Sequence, residues 1–188
     1  MIIPDFLNQI NSKWTLFLDR DGVINKRPPN DYVKSWDEFE FLPGVLEALK
    51  ILTLKFSKII VITNQQGIGK NVMTTENLQI IHDNLIKEVS EKEGRIDAIY
   101  FCPDMATKAV NCRKPDINMA KQAKRDFPDI DFSISIMAGD MLSDIQFGKN
   151  AGMKTIFIST NNLLLAPSES DHSFPNLFEF AKAISVND

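Results

Sequence analysis

Five short runs of the 188-residue chain are almost continuously apolar, and helical patterns separate them. The runs are Trp14–Asp19, Lys58–Asn64, Ile96–Cys102, Ser135–Asp140 and Thr155–Thr160. A strand with one face in water alternates apolar and polar residues; a run without that alternation suits a strand buried on both faces. Pro43–Phe56 reads as a helix with proline near its start. Thr75–Glu93 carries Leu78, Ile81, Leu85 and Val89 at helical spacing, with Thr74 or Thr75 as its cap. Asp116–Phe127 and Met141–Ala151 follow, and Gly152 stands where a helix end favours glycine. Strands alternating with helices predict an α/β three-layer sandwich, a central parallel sheet with right-handed crossovers. No linker rich in Gly, Ser or Pro divides the chain, so residues 1–188 read as a single domain. Residues 1–12 are expected as an extension packed on the outside, and 161–188 as a loop and a final helix around Leu177–Ile184.

Composition narrows the functional class. A net charge of −4 and a pI near 5.3 lack the basic excess of a general nucleic-acid binder. No apolar run approaches the roughly 20 residues that cross a bilayer. Met1–Trp14 has no basic segment ahead of a long apolar core, so it does not read as a signal peptide. Two cysteines suggest a reducing compartment. The expectation is a cytoplasmic monomer that binds neither nucleic acid nor membrane.

Open α/β sheets bind ligands beyond the carboxyl ends of their strands. The first strand delivers Asp19-Arg20-Asp21-Gly22 there, and the second delivers Thr63-Asn64-Gln65. The fourth delivers Gly139-Asp140, with Ser143-Asp144 just beyond, and Arg113-Lys114-Pro115 lies between the third and fourth. Carboxylates gathered at one rim repel and raise one another's pKa. A hard cation removes that conflict, and Mg²⁺ takes one or two carboxylates with waters and a phosphate. Asp19 and Asp140 are natural ligands. If the strand direction persists, Asp21 shares the side of Asp19 while Arg20 points away. A lone aspartate at a strand end is as often a turn former, but the whole set in this order is not.

These residues resemble the four motifs of the haloacid dehalogenase-like phosphatases. The motifs are Asp19-Arg20-Asp21-Gly22-Val23-Ile24-Asn25, Thr63-Asn64-Gln65, Arg113-Lys114-Pro115 and Gly139-Asp140-x-x-Ser143-Asp144. Within the family the likeness is to the subgroup of D-glycero-D-manno-heptose 1,7-bisphosphate phosphatase and histidinol-phosphate phosphatase. Tyr32-Val33, Phe39-Glu40-Phe41-x-Pro43-Gly44 and Gln65-Gln66-Gly67-Ile68 support it, and it runs from about Trp14 to Thr160. The resemblance implies a Rossmann-like fold and an aspartyl-phosphate mechanism. Asp19 would attack phosphorus, and Asp21 would protonate the leaving alkoxide and then activate water. Mg²⁺ would bind Asp19, the backbone carbonyl of Asp21 and Asp140. Thr63 would bond a phosphoryl oxygen, Asn64 would position the reacting groups, and Lys114 would neutralise the transferring charge. Asp144 would orient Lys114 or a metal-bound water.

The pattern breaks in one place. Relatives in this subgroup carry a zinc loop ahead of the Arg-Lys-Pro motif. Here Cys102 and Cys112 match two ligand positions, but Asp104 and Val110 stand in the others. Val110 cannot ligate, and a structural zinc wants four ligands. Structural Zn²⁺ is therefore not expected, and the cysteines read as reduced thiols. No insertion is long enough for a cap domain, so the site should be open, its substrate a small sugar phosphate. Lys26, Arg27, Lys70 and Arg113 are candidates to bind it, with Arg113 the strongest because it adjoins Lys114. The Gly67-x-Gly69-Lys70 segment lacks P-loop spacing and reads as a turn. The leading expectation is removal of the 7-phosphate of a heptose 1,7-bisphosphate. A histidinol-phosphate phosphatase is the nearest alternative, with Asp31, Asp37 and Glu38 as its acidic wall. A polynucleotide 3′-phosphatase, a non-hydrolytic phosphoacceptor and a silent binding module are further ones; Asp21 speaks against the phosphoacceptor.

Overall fold

The five apolar runs form neighbouring strands of one sheet in the computed structural model, which describes residues 4–159 and 166–185. In chain order the elements are β1 (Thr15–Leu18), α1 (Val45–Lys55), β2 (Lys58–Asn64), α2 (Gln66–Gly69), α3 (Thr75–Glu91) and β3 (Ala98–Cys102). Then come α4 (Asn118–Asp126), β4 (Ser135–Gly139), α5 (Leu142–Ala151), β5 (Lys154–Ile158), β6 (His172–Phe174) and α6 (Leu177–Ser185). Strand order is β3-β2-β1-β4-β5-β6, every pair parallel. This is a doubly wound, Rossmann-like sheet, whose order reverses beside β1.

Strand parity divides the core. Leu16 and Leu18 of β1 face a layer built by α1, α3 and α6, with Leu49, Leu52, Leu85 and Phe180 fully buried. Phe17 faces the other layer, where Met119 and Ala123 of α4 and Phe147 of α5 pack. The expected helices appear with every end within two residues of its expected place. Thr74 caps α3 in a reciprocal capping box with Asn77. Gly152 ends α5 in the left-handed region at φ 80°.

Three elements depart from the sequence reading. The sheet has a sixth strand, β6, too short at three residues to carry a period. Gln66–Gly69, expected as a turn, is a single helical turn. The N-terminal extension contains a 3₁₀ turn, Asp5–Gln9, whose Leu7 enters the same apolar layer as α1 and α6. Thr160, the end of the expected fifth strand, and residues 161–165 of the expected C-terminal loop lie outside the described residues.

The β1–α1 connection holds a 3₁₀ turn, Trp36–Glu38, and no further domain. It is pinned by its own satellite core, Val33 against Met73, Leu78 and Ile81, with Trp36 stacked on Phe39 at 4.8 Å. This packing turns an irregular segment into a fixed wall above the strand ends.

Candidate active site

Register brings the carboxylates together. Leu18 pairs with Val61 on one side and Ala138 on the other, so β1 and β4 end nearly level while β2 runs on to Asn64 beside Asp19 and Asp21. The Asp19 amide donates to the Ala138 carbonyl at 3.0 Å and carries the ladder one residue further. Asp19, Asp140 and Asp144 then lie with a carboxylate oxygen of each within 4.8 Å of the others. A cleft of about 220 Å³ opens beside them, lined by Asp19 and Asp144 together with Asp21, Thr63, Asn64, Arg27, Arg113 and Lys114.

Lys114 is the buried hinge of this cluster. Its ammonium pairs with Asp19 Oδ1 at 2.8 Å and Asp144 Oδ1 at 2.7 Å and donates to the Ile62 carbonyl at 2.8 Å. Burial opposes the charge, but Asp144 and Asp19 outweigh it and hold the Lys114 pKa above its ordinary value. Asn64 fixes the backbone at this point: its Oδ1 accepts from the Lys114 amide at 3.0 Å.

Asp21 is held quite differently. Its carboxylate accepts both oxygens' worth of bonds from Arg20 Nη2 at 2.9 Å, with Asn25 Nδ2 at 2.9 Å and Gln65 Nε2 at 2.8 Å. Burial disfavours the charge, yet Arg20 and these amides win and hold the carboxyl below the usual range. Gln65 Nε2 also donates to Thr63 Oγ1 at 2.9 Å, which links the second motif to the first. Arg20 therefore does not simply point away. It is fully buried, one nitrogen 3.2 Å from His82 of α3 and the other chelating Asp21. A guanidinium shut between the sheet and α3 needs a carboxylate, and the turn at Gly22 puts one beside it.

Asp19 and Asp140 are short of positive charge. Burial, with Asp144 and Asp21 adding, pushes Asp19 up to about 6 despite Lys114. Burial and the Asp19 charge push Asp140 to about 8, with Arg27 offsetting only part. The groups gathered around Arg27 here offer only oxygens: the Asp19 and Asp140 carboxylates and the Asp21 carbonyl. That set suits Mg²⁺. Gly22 gives room for it. With φ at +98°, a Cβ there would lie 2.2 Å from Asp140 Oδ2.

The expected substrate-binding cations separate into two groups. Arg113 and Arg27 line the cleft. Lys26 instead pairs with Glu40 in solvent, and Lys70 lies over the Tyr32 ring at 5.5 Å; neither lines the cleft. Arg27 goes deeper than a substrate contact, onto Asp140 Oδ1 at 3.0 Å and within 3.5 Å of Asp19 Oδ2. Asp31 lines the cleft as well, but its charge is matched by Lys34 at 2.8 Å. Sequence reasoning missed Asn25 and Gln65 as partners of Asp21. The signal was present, since both sit inside quoted motifs.

The cysteines correct the expectation of free thiols: Cys102 and Cys112 form a disulfide. Cys102 ends β3, and the loop returns Cys112 to 5.5 Å between Cα atoms, within bridging range. Asp104 braces the same loop, accepting from the Cys112 amide at 3.1 Å, and its carbonyl accepts from Arg113 at 3.3 Å. Val110 is 82% exposed and touches none of this.

Residues 15–187 match the profile of the family described as polynucleotide kinase 3 phosphatase. A D-glycero-alpha-D-manno-heptose-1,7-bisphosphate 7-phosphatase of Mycobacterium tuberculosis is 37% identical over 174 residues, 92% of each chain. The D-glycero-D-manno-heptose-1,7-bisphosphate 7-phosphatase of Chlorobaculum tepidum is 33% identical over 178 residues, 89% of each. Among solved structures, the D,D-heptose 1,7-bisphosphate phosphatase of B. bronchiseptica, complexed with magnesium and phosphate, superposes with a TM-score of 0.83. It is 30% identical, and the match covers 93% of this chain and 99% of that one. Sequence profile, relatives and sheet order agree: the chain belongs to the polynucleotide kinase 3 phosphatase family, a phosphatase of the haloacid dehalogenase-like class.

Proposed function

We propose that this phosphatase removes the 7-phosphate of a D-glycero-D-manno-heptose 1,7-bisphosphate, with Asp19 as nucleophile and Asp21 as acid and base. One observation carries the assignment of roles. The carboxylate of Asp19 and the backbone carbonyl of Asp21 converge beside Asp140, while the Asp21 carboxylate turns aside into a separate donor network. The two aspartates thus occupy different settings: Asp19 stands with the oxygens that would hold the metal, whose charge would favour its ionised form, and the Asp21 carboxylate stands apart from them.

Mg²⁺, held by Asp19, the Asp21 carbonyl and Asp140, would neutralise charge on the transferring phosphoryl group. The chain's own residues do the rest. Lys114 pairs with Oδ1 of Asp19, and Arg27 approaches Oδ2. The Asp19 carboxylate attacks phosphorus, and the bond to the sugar oxygen breaks as the aspartyl-phosphate forms. Asp21 gives its proton to the departing oxygen. A dianionic phosphate beside it raises its pKa, the direction that loads this proton. It then takes a proton from the water that cleaves the intermediate. The Thr63 hydroxyl accepts from Gln65, which leaves its own proton for a phosphoryl oxygen. Arg113, on the cleft wall, suits the second phosphate of a bisphosphate.

The test is Mg²⁺-dependent phosphate release from heptose 1,7-bisphosphate, histidinol phosphate and a 3′-phosphorylated oligonucleotide, with Asp19→Asn as blank. Preference for the heptose by kcat/KM is the expected result. Preference for either of the other two overturns the substrate and keeps the mechanism. Turnover that survives Asp19→Asn overturns the mechanism.

A further inference from the structure

The side chain of Arg27 ends where the resemblance puts the metal. Its Nη2 lies 2.5 Å from the Asp21 carbonyl, 3.0 Å from Asp140 Oδ1 and 3.5 Å from Asp19 Oδ2. Those are the three protein oxygens assigned above to Mg²⁺. A cation bound by oxygens sits at the point where its donors converge, and that point is taken by a guanidinium nitrogen. Mg²⁺ binds oxygen at about 2.0–2.1 Å. The nitrogen and the ion therefore cannot share the position.

Arg27 is also placed to leave. Its side chain is 38% exposed, against 7% and 11% for Asp19 and Asp140. It comes from the β1–α1 connection and lines the cleft that Arg113 also lines. Lys114, by contrast, is sealed in between two carboxylates and cannot move aside without uncovering both.

We propose that Arg27 is a displaceable counter-cation: in the metal-free protein its guanidinium holds the Mg²⁺ position among Asp19, the Asp21 carbonyl and Asp140, and metal entry releases it into the cleft. This rests on the reading of those three oxygens as the metal site. Two consequences follow. The metal-free site stays assembled, because its repelling carboxylates share a cation at all times. The metal binds only the fraction of molecules from which Arg27 has swung away, so its apparent affinity is reduced by that fraction. Once released, the tethered guanidinium adds positive charge to the cleft beside Arg113 as the metal arrives, which favours an anionic substrate on the loaded enzyme.

The experiment uses the full chain and Mg²⁺ alone. Binding is measured by calorimetry for the parent, Arg27→Gln and Asp140→Asn, and the Arg27 side-chain NH signals are followed by NMR through the titration. If Arg27 holds the position about nine-tenths of the time, Arg27→Gln binds Mg²⁺ about tenfold more tightly. The guanidinium protons are protected from exchange in chelator and lose that protection as Mg²⁺ saturates. Asp140→Asn loses Mg²⁺ binding. Unchanged or weaker Mg²⁺ affinity in folded Arg27→Gln overturns the proposal, and so does protection that persists at saturation. If Asp140→Asn still binds Mg²⁺ like the parent, the metal-site reading itself fails and takes the proposal with it.

Discussion

Asp21 offers two different groups to the site, and they can be separated by one substitution. Its carbonyl meets Arg27 at the position proposed for the metal, while its carboxylate faces Arg20, Asn25 and Gln65. Asp21→Asn should therefore keep Mg²⁺ affinity within about twofold, since backbone is untouched, and lower kcat by about 10²–10⁴, the usual worth of an acid/base group. Calorimetry for Mg²⁺ and steady-state phosphate release on one preparation check both halves. An equal fall in affinity and rate would contradict the division of labour. Asp19, Asp21, Thr63, Asn64, Lys114, Asp140 and Asp144 were all legible, because a charged or hydroxylated residue at the end of an apolar run is a local signal. The destinations of Arg20, Arg27 and Lys26 were not. A long cationic side chain reaches several carboxylates, and only the packed structure decides which: His82 and the closed layer decide for Arg20, the open cleft for Arg27, and Glu40 in solvent for Lys26.

The start of α5 joins element to site. Asp144 occupies its first turn and accepts from the Met141 amide at 3.0 Å, so it closes the helix start while its other oxygen meets Lys114. Gly139 makes this approach possible, since a Cβ there would stand 2.3 Å from the Asp144 Cβ. Asp144→Asn keeps an oxygen for the cap and removes one of the two carboxylate charges beside Lys114. Asp19 still pairs with the lysine, so the expected loss of stability is about 1–3 kcal/mol, the range for a buried polar group that loses one partner. Urea unfolding would read it, and a change below about 1 kcal/mol would mean that the pair is replaceable by water. The five long strands and five of the helices were visible from periodicity. The sixth strand was not, because three residues paired only through β5 carry no pattern of their own. The one-turn α2 is too short for periodicity in the same way.

At the scale of the whole molecule, acid should weaken the fold through one buried imidazole. Burial, and next the Arg20 charge, lower the His82 pKa to about 3. The unfolded chain takes up that proton near 6.5, and the folded protein does not until about 3. The contribution is complete above pH 6.5 and is lost as pH falls from there towards 3. Between pH 7 and pH 5 it should remove about 2 kcal/mol, near 1.4 kcal/mol per unit once below 6.5. Urea midpoints of the parent and His82→Gln at the two pH values give the difference. A parent whose midpoint falls no more than that of His82→Gln would refute the account.

The sequence by itself determined five strands of the sheet, their burial on both faces and the set of groups delivered to its carboxyl edge. Those follow from periodicity and chain order, which are local. The tertiary structure alone decided which cation meets which carboxylate, that Cys102 finds Cys112 across a returning loop, and that Arg27 stands at the point of convergence. These depend on distances between segments far apart in the chain. Coulomb energy and side-chain reach are indifferent to sequence separation, so they are settled only once the strands are in register.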